Sequence, residues 1–298
     1  MRVIFLCTVV LFSTLLKAQN GPTPQQVRFA IAKSVTDLNV PAENVASVEE
    51  KVIGNGSDSA TLRIYKPAAK GKLPVVYFIH GGAWVAGDLN THDNICRAMA
   101  NRLQAVVVSV AYRQPPEYRF PVSHNDVYFG FRWTADHAAE LGGNGKLIVM
   151  GDSAGGLFTA ATCQTNAVSK KPVPVTAQVL INPALDVRPG SPTDTTYGFF
   201  IRWGTKPSDN LADVRLSPLA ATDFSKLPPA IIVVGEQDEI RDDGIAYDQK
   251  LRSAGLKSAL YKQPNAGHLA EYFCAAHDKA KPAIDFIVTT LKARYLKK

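Results

Sequence analysis

Cysteine is scarce in this chain: four in 298 residues, at positions 7, 96, 163 and 274. So few, with no CxxC pair and no His/Cys cluster, exclude a disulfide scaffold and argue against a structural metal. Charge is scarce as well. Asp, Glu, Lys and Arg make up 20% of the residues against 46% hydrophobic, which rules out disorder and leaves enough apolar surface for one or two buried cores. The formal net charge is +7, and its one visible concentration is the tail Lys292, Arg294, Lys297 and Lys298, where a helix C-terminus favours cations through its dipole. No basic face with interleaved aromatics occurs, so a nucleic-acid partner is not expected.

Long apolar runs are also lacking, with one exception. Residues 3–16 are apolar, preceded by Arg2 and followed by Leu16-Lys17-Ala18. The run is shorter than the ~20 residues of a membrane span. It reads as a signal peptide over 1–18, cut after Ala18, which predicts a secreted or periplasmic protein over 19–298 with no span in the mature chain. Losing Arg2 and Lys17 lowers the formal charge from +7 to +5. Three cysteines then remain in an oxidising compartment, so at least one is unpaired. Cys163, among Thr159-Ala160-Ala161-Thr162, reads as a buried inert thiol.

No repeat, low-complexity stretch or proline-rich linker divides the rest, which reads as one domain. Residues 23–38 have helical spacing, and 45–53 and 60–65 read as a strand hairpin joined across 54–58. Strands and helices then alternate: strands at 74–79, 105–112, 146–150, 177–181, 230–234 and 258–263, helices at 90–103, 122–139, 154–168, 244–253 and 280–296. Apolar runs such as Val75-Val76-Tyr77-Phe78-Ile79 and Ile231-Ile232-Val233-Val234 suit a sheet covered on both faces, hence an α/β fold with a mostly parallel sheet. The excursion at 186–228 holds Tyr197, Phe199, Phe200 and Trp203. It leaves a strand's carboxyl end and is placed to roof a pocket.

Gly151-Asp152-Ser153-Ala154-Gly155 fits G-x-S-x-G between a predicted strand and a predicted helix, a sharp turn that pushes the Ser153 hydroxyl into the open. A serine needs a base to take its proton, and the base needs a third group to orient it. Downstream there are two histidines; His268 follows the last strand, whereas His277 follows a helical segment and reads as surface. His268 is the expected base. His92, His124 and His137 lie in or beside helices and read as solvated or packed. For the acid, Asp238 falls in the loop just past a strand, Asp242 and Asp243 at a helix start where they cap free N–H groups, and Glu236 and Glu239 in solvent. His80-Gly81-Gly82-Ala83-Trp84 closes a strand with unpaired backbone donors, so Gly81 and Gly82, with Ala154 after the nucleophile, are the expected oxyanion hole.

Taken with Tyr112-Arg113, Pro116-Glu117, Arg119-Phe120-Pro121, Gly235-Glu236-Gln237-Asp238, Arg241-Asp242-Asp243-Gly244 and Gly267-His268, these motifs make the chain, from about Val45 onward, resemble the hormone-sensitive-lipase-like esterases of the α/β-hydrolase superfamily. The resemblance implies an eight-stranded sheet, a Ser-His-Asp triad, a helical cap, and hydrolysis of carboxylic esters without metal or cofactor. Two departures stand out. Ala83 replaces the third glycine usual after the histidine, and Glu239-Ile240 replace proline and leucine. The cap is small, with elements near 19–44 and 186–228, and Trp84, Phe199 and Phe200 are expected to meet substrate. The expected function is a serine hydrolase of short-chain, small-molecule esters working through an acyl-enzyme. An amidase or peptidase, or a non-catalytic small-molecule-binding homologue, are the alternatives; a lipase of long-chain fats is weakened by the lack of a large apolar lid.

Overall fold

The computed structural model describes residues 21–54, 59–268 and 277–297. The expected signal peptide, the hairpin connection at 55–58 and Cys274 lie outside the described residues. Helix α1 (Pro24–Asp37) opens with a capping box: Thr23 Oγ1 accepts the Gln26 N–H at 3.3 Å and Gln26 Oε1 accepts the Thr23 N–H at 2.8 Å. Then come β1 (Ser47–Gly54), β2 (Ser59–Lys66), β3 (Leu73–Ile79), α2 (Asp93–Leu103), β4 (Val106–Ala111), α3 (Val122–Asp136), β5 (Gly143–Asp152), α4 (Ala154–Ala167) and β6 (Ala177–Ile181). Helix α5 (Pro192–Gly204) and a short 3₁₀ turn (Pro218–Ala220) occupy the excursion, followed by β7 (Ala230–Gly235), α6 (Arg241–Ser253), β8 (Ser258–Gln263) and α7 (Lys281–Arg294).

The strands form one eight-stranded sheet in the order β1-β2-β4-β3-β5-β6-β7-β8. The β1/β2 and β2/β4 pairs are antiparallel and the remaining pairs parallel. Alternation along the strands feeds two cores. Val75, Tyr77 and Ile79 face Val127 and Phe131 of α3, Leu157 and Phe158 of α4, and Tyr247 of α6. Val76 and Phe78 face Ile95 and Met99 of α2 and Ile284 and Ile287 of α7. Both faces are therefore apolar, and truncating a fully buried ring such as Phe78 to Ala should cost about 3–5 kcal/mol.

Helix α5 lies in the 186–228 excursion, to which the sequence assigns a cap element but no helix bounds. Ser191 caps it, accepting the Asp194 N–H at 3.0 Å, and Pro192 stands in the first turn where no amide donor is needed. Helix α6 begins at Arg241, three residues before the expected start, and α2 at Asp93, three after. Cys96 and Cys163 are both free and buried. Among the described residues, no helix is long and apolar enough to cross a membrane.

Candidate active site

Strands β3 and β5 are neighbours, but the chain leaves β3 for β4 on one side and β5 for β6 on the other. Their carboxyl ends bound the crevice where an open α/β sheet binds ligands. β5 delivers Ser153, whose backbone is held at φ 52° and ψ −118°. A non-glycine residue there costs about 1–3 kcal/mol, so neighbours must hold it. They do so through the Ser153 N–H to the Ile181 carbonyl at 2.8 Å and the Ser153 carbonyl accepting from Ala184 and Leu157, each at 3.2 Å. Gly155 allows the turn to close, since a Cβ there would lie 2.0 Å from the Ile79 carbonyl oxygen.

Ser153 Oγ lies 2.8 Å from His268 Nε2, and His268 Nδ1 lies 3.0 Å from Asp238 Oδ2. With Nδ1–H donating to the buried carboxylate, the Nε2 lone pair is left to accept the serine proton. Asp238 is itself aimed by the Ile240 N–H, which donates to Oδ1 at 3.1 Å. The two loops are joined through main chain: the Glu236 N–H meets the Gln263 carbonyl at 2.9 Å and the Gln237 N–H the Ala266 carbonyl at 2.8 Å. Burial disfavours a charged His268, but the Asp238 carboxylate, by charge and hydrogen bond, outweighs it and raises the imidazole pKa above its usual value.

The other carboxylates have different work. Asp242 is exposed, against Arg241. Neither Asp242 nor Asp243 caps the helix as expected; Asp243 Oδ2 instead accepts from the Leu185 N–H at 2.8 Å, the Asp186 N–H at 3.1 Å and Thr193 Oγ1 at 2.6 Å, tying α6 to the loop after β6 and to α5. Burial pushes it up to about 6. Glu236 and Glu239 are exposed, and His277 stands before α7, its Nδ1 accepting the Lys279 N–H at 3.3 Å.

The oxyanion loop differs from expectation at one donor. The Gly81 N–H donates to Asp152 Oδ1 at 3.1 Å, and the same oxygen lies 3.2 Å from Nε2 of the buried His92. Gly81 is thus engaged, because an N–H makes one strong bond. The N–H groups of Gly82 and of Ala154, first residue of α4, make no hydrogen bond among the described residues. Gly82 holds φ at 118°, and a Cβ there would lie 2.1 Å from the Ala86 carbonyl oxygen. Ala83, in place of the usual third glycine, follows Gly82 into the left-handed region at φ 51°, with Trp84 at φ 68°. Two further side chains brace the loop. Tyr112 stacks on His80 at 4.3 Å and donates to its carbonyl at 3.0 Å. Arg28 of α1 donates to the Val85 carbonyl at 2.8 Å and the Pro115 carbonyl at 3.0 Å, and pairs with Glu117 at 2.6 Å.

Trp84 and Phe200, with Phe158, Ile201 and Leu216, line a small, mostly apolar cavity. Phe199 does not line it: one residue round the helix, it packs on Gly21 and on Trp203, at 4.7 Å. Tyr197, one turn before Phe200 and Ile201, sits 5.5 Å from the His268 ring. The sequence assigns Asp152 and Arg28 no role, reads His92 only as solvated or packed, and names Tyr197 only as one of four aromatics over a pocket. Asp152 lies inside the serine motif, and its buried position beside a second imidazole is visible only in three dimensions.

A family model described as alpha/beta hydrolase fold matches residues 75–271. Carboxylesterase NlhH of Mycobacterium tuberculosis is 35% identical over 239 residues, 74% of each chain, and an arylesterase of Saccharolobus solfataricus is 34% identical over 251 residues, 80% of each chain. The solved structure of a hyperthermophilic esterase from the archaeon Pyrobaculum calidifontis superposes with a TM-score of 0.84 at 31% identity, covering 95% of this chain and 97% of that one.

Proposed function

Because this chain belongs to the α/β-hydrolase fold family and is a carboxylic ester hydrolase, we propose that it cleaves short-chain esters through an acyl-enzyme on Ser153. The observation that carries the proposal is the unbroken path from Ser153 Oγ through His268 to Asp238, at 2.8 and 3.0 Å. His268 Nε2 takes the hydroxyl proton as Oγ attacks the ester carbonyl, and the oxyanion faces the N–H groups of Gly82 and Ala154. The imidazolium returns its proton to the leaving alcohol, and water, activated by the same nitrogen, releases the acid and frees Ser153. The compact apolar cavity, with one short helix over it, favours small acyl or alcohol groups.

The test is a fluorophosphonate probe with matched ester and amide substrates. Ser153 should be labelled and esters should turn over far faster than amides; labelling that survives in Ser153→Ala would overturn the assignment. The basic, then apolar, start of the sequence supports export with cleavage after Ala18, which mass spectrometry of the mature N-terminus checks.

A further inference from the structure

Helix α5 joins the catalytic base to a second chemical feature. Tyr197 packs on His268, and Phe200 and Ile201, one helical turn on, line the apolar cavity. Three polar side chains also line this cavity, and two are already committed: Ser123 Oγ donates to the Arg113 carbonyl at 2.6 Å and Thr205 Oγ1 to the Ile201 carbonyl at 2.9 Å. The third is His124. It is 9% exposed, and among the described residues neither ring nitrogen has a hydrogen-bond partner. The main chain of Arg215 comes near the ring without making a bond of normal geometry.

The ring is not loose. Phe120 and Phe158 meet it edge-on at 5.0 and 4.7 Å, and Phe158 continues to Tyr112 at 4.8 Å and so to His80 at the foot of the oxyanion loop. Burial drives its pKa down to about 3, so the imidazole is neutral and offers one N–H and one lone pair. A buried polar group without a partner is costly, and its retention in an otherwise apolar cavity signals a ligand group that completes it. A hydroxyl, both donor and acceptor, meets either nitrogen's demand; a hydrocarbon arm meets neither.

We propose that His124 is a specificity residue that hydrogen-bonds a hydroxyl on the buried arm of the ester, so that the substrate class is hydroxylated short-chain esters. This rests on the esterase reading of Ser153. Ethyl 5-hydroxyhexanoate against ethyl hexanoate probes the acyl arm, and 4-hydroxybutyl acetate against butyl acetate the alcohol arm. In the wild type, the ratio of kcat/KM for hydroxylated over plain ester should be one or more on at least one arm, because an unpartnered hydroxyl would be rejected by an apolar cavity. In His124→Phe and His124→Leu, checked for folding by thermal melting, that ratio should fall about tenfold or more. A wild-type ratio below one on both arms overturns the proposal whether or not the variants fold, and so does a ratio the variants leave unchanged. Esters that are all hydrolysed with such a ratio defeat only the hydroxyl subsite; a wild type that hydrolyses none of the four overturns the esterase reading with it.

Discussion

Asp152 Oδ1 accepts the backbone N–H of Gly81 at 3.1 Å, which fastens the residue before the nucleophile to the start of the oxyanion loop. His92 Nε2, 3.2 Å from the same oxygen, fixes the carboxylate from behind. Asp152→Ala should leave the buried Gly81 N–H without its acceptor, lowering kcat by about tenfold to a hundredfold and stability by about 1–3 kcal/mol, with Ser153 still open to a fluorophosphonate. Asp152→Asn, which keeps an acceptor, should recover much of the kcat. Equal losses in the two variants would show that the bond to Gly81 is not what matters.

Asp238 and Asp242 should separate cleanly. Asp238→Asn should fold and lose turnover on the order of 10⁴, by favouring the wrong His268 tautomer. Asp242→Asn, at an exposed position beside Arg241, should change stability by about 1 kcal/mol or less and leave kcat near wild type. Steady-state kinetics with thermal melts on both variants decide it.

The acid limb of kcat/KM should lie above the ordinary histidine pKa of about 6.5, because only neutral His268 is a base and Asp238 raises its pKa. The sign for stability is opposite. A histidine whose folded pKa is raised adds stability that is fully present below the unfolded pKa and is lost as pH rises through the folded one. His268→Ala should therefore lower Tm more at pH 5.5 than at pH 9. A midpoint at or below 6.5, or a Tm deficit that grows with pH, would contradict the Asp238 pairing.

Gly82→Val should cost about 10²–10³ in kcat through loss of one oxyanion donor. Some stability should go with it, since the added Cβ would lie 2.1 Å from the Ala86 carbonyl oxygen and the backbone is held at φ 118°. Unchanged kcat would place the oxyanion donors elsewhere.

The sheet was legible because its strands are apolar on both faces, and Ser153, His268 and Asp238 because each follows a strand's carboxyl end, where a motif and chain order single them out. What stayed hidden depends on distance along the chain or on helical phase. Asp152 meets His92 across 60 residues, and nothing local to His92 distinguishes it from a polar residue at a helix start. Phe199 and Tyr197 are equal candidates until α5 is known to be a helix, after which their angular separation sends one toward Gly21 and the other toward His268. Gly81 and Gly82 look alike as letters; only the carboxylate beneath Gly81 tells their amides apart.

The loops carrying Asp238 and His268 are held together by amide-to-carbonyl bonds, from Glu236 to Gln263 and from Gln237 to Ala266. Main-chain groups are indifferent to the side chains they carry, so the spacing of acid and base is insulated from drift at the exposed Gln237, whereas Asn265, at φ 55°, and the buried Ala266 are constrained. Gly235 is constrained too, because a Cβ there would lie 2.5 Å from the carbonyl oxygens of both Ala266 and Gly267. The rim is therefore evolvable at Gln237: a saturation library there, with Gly235 kept, can vary the surface while the proton path beneath keeps its length.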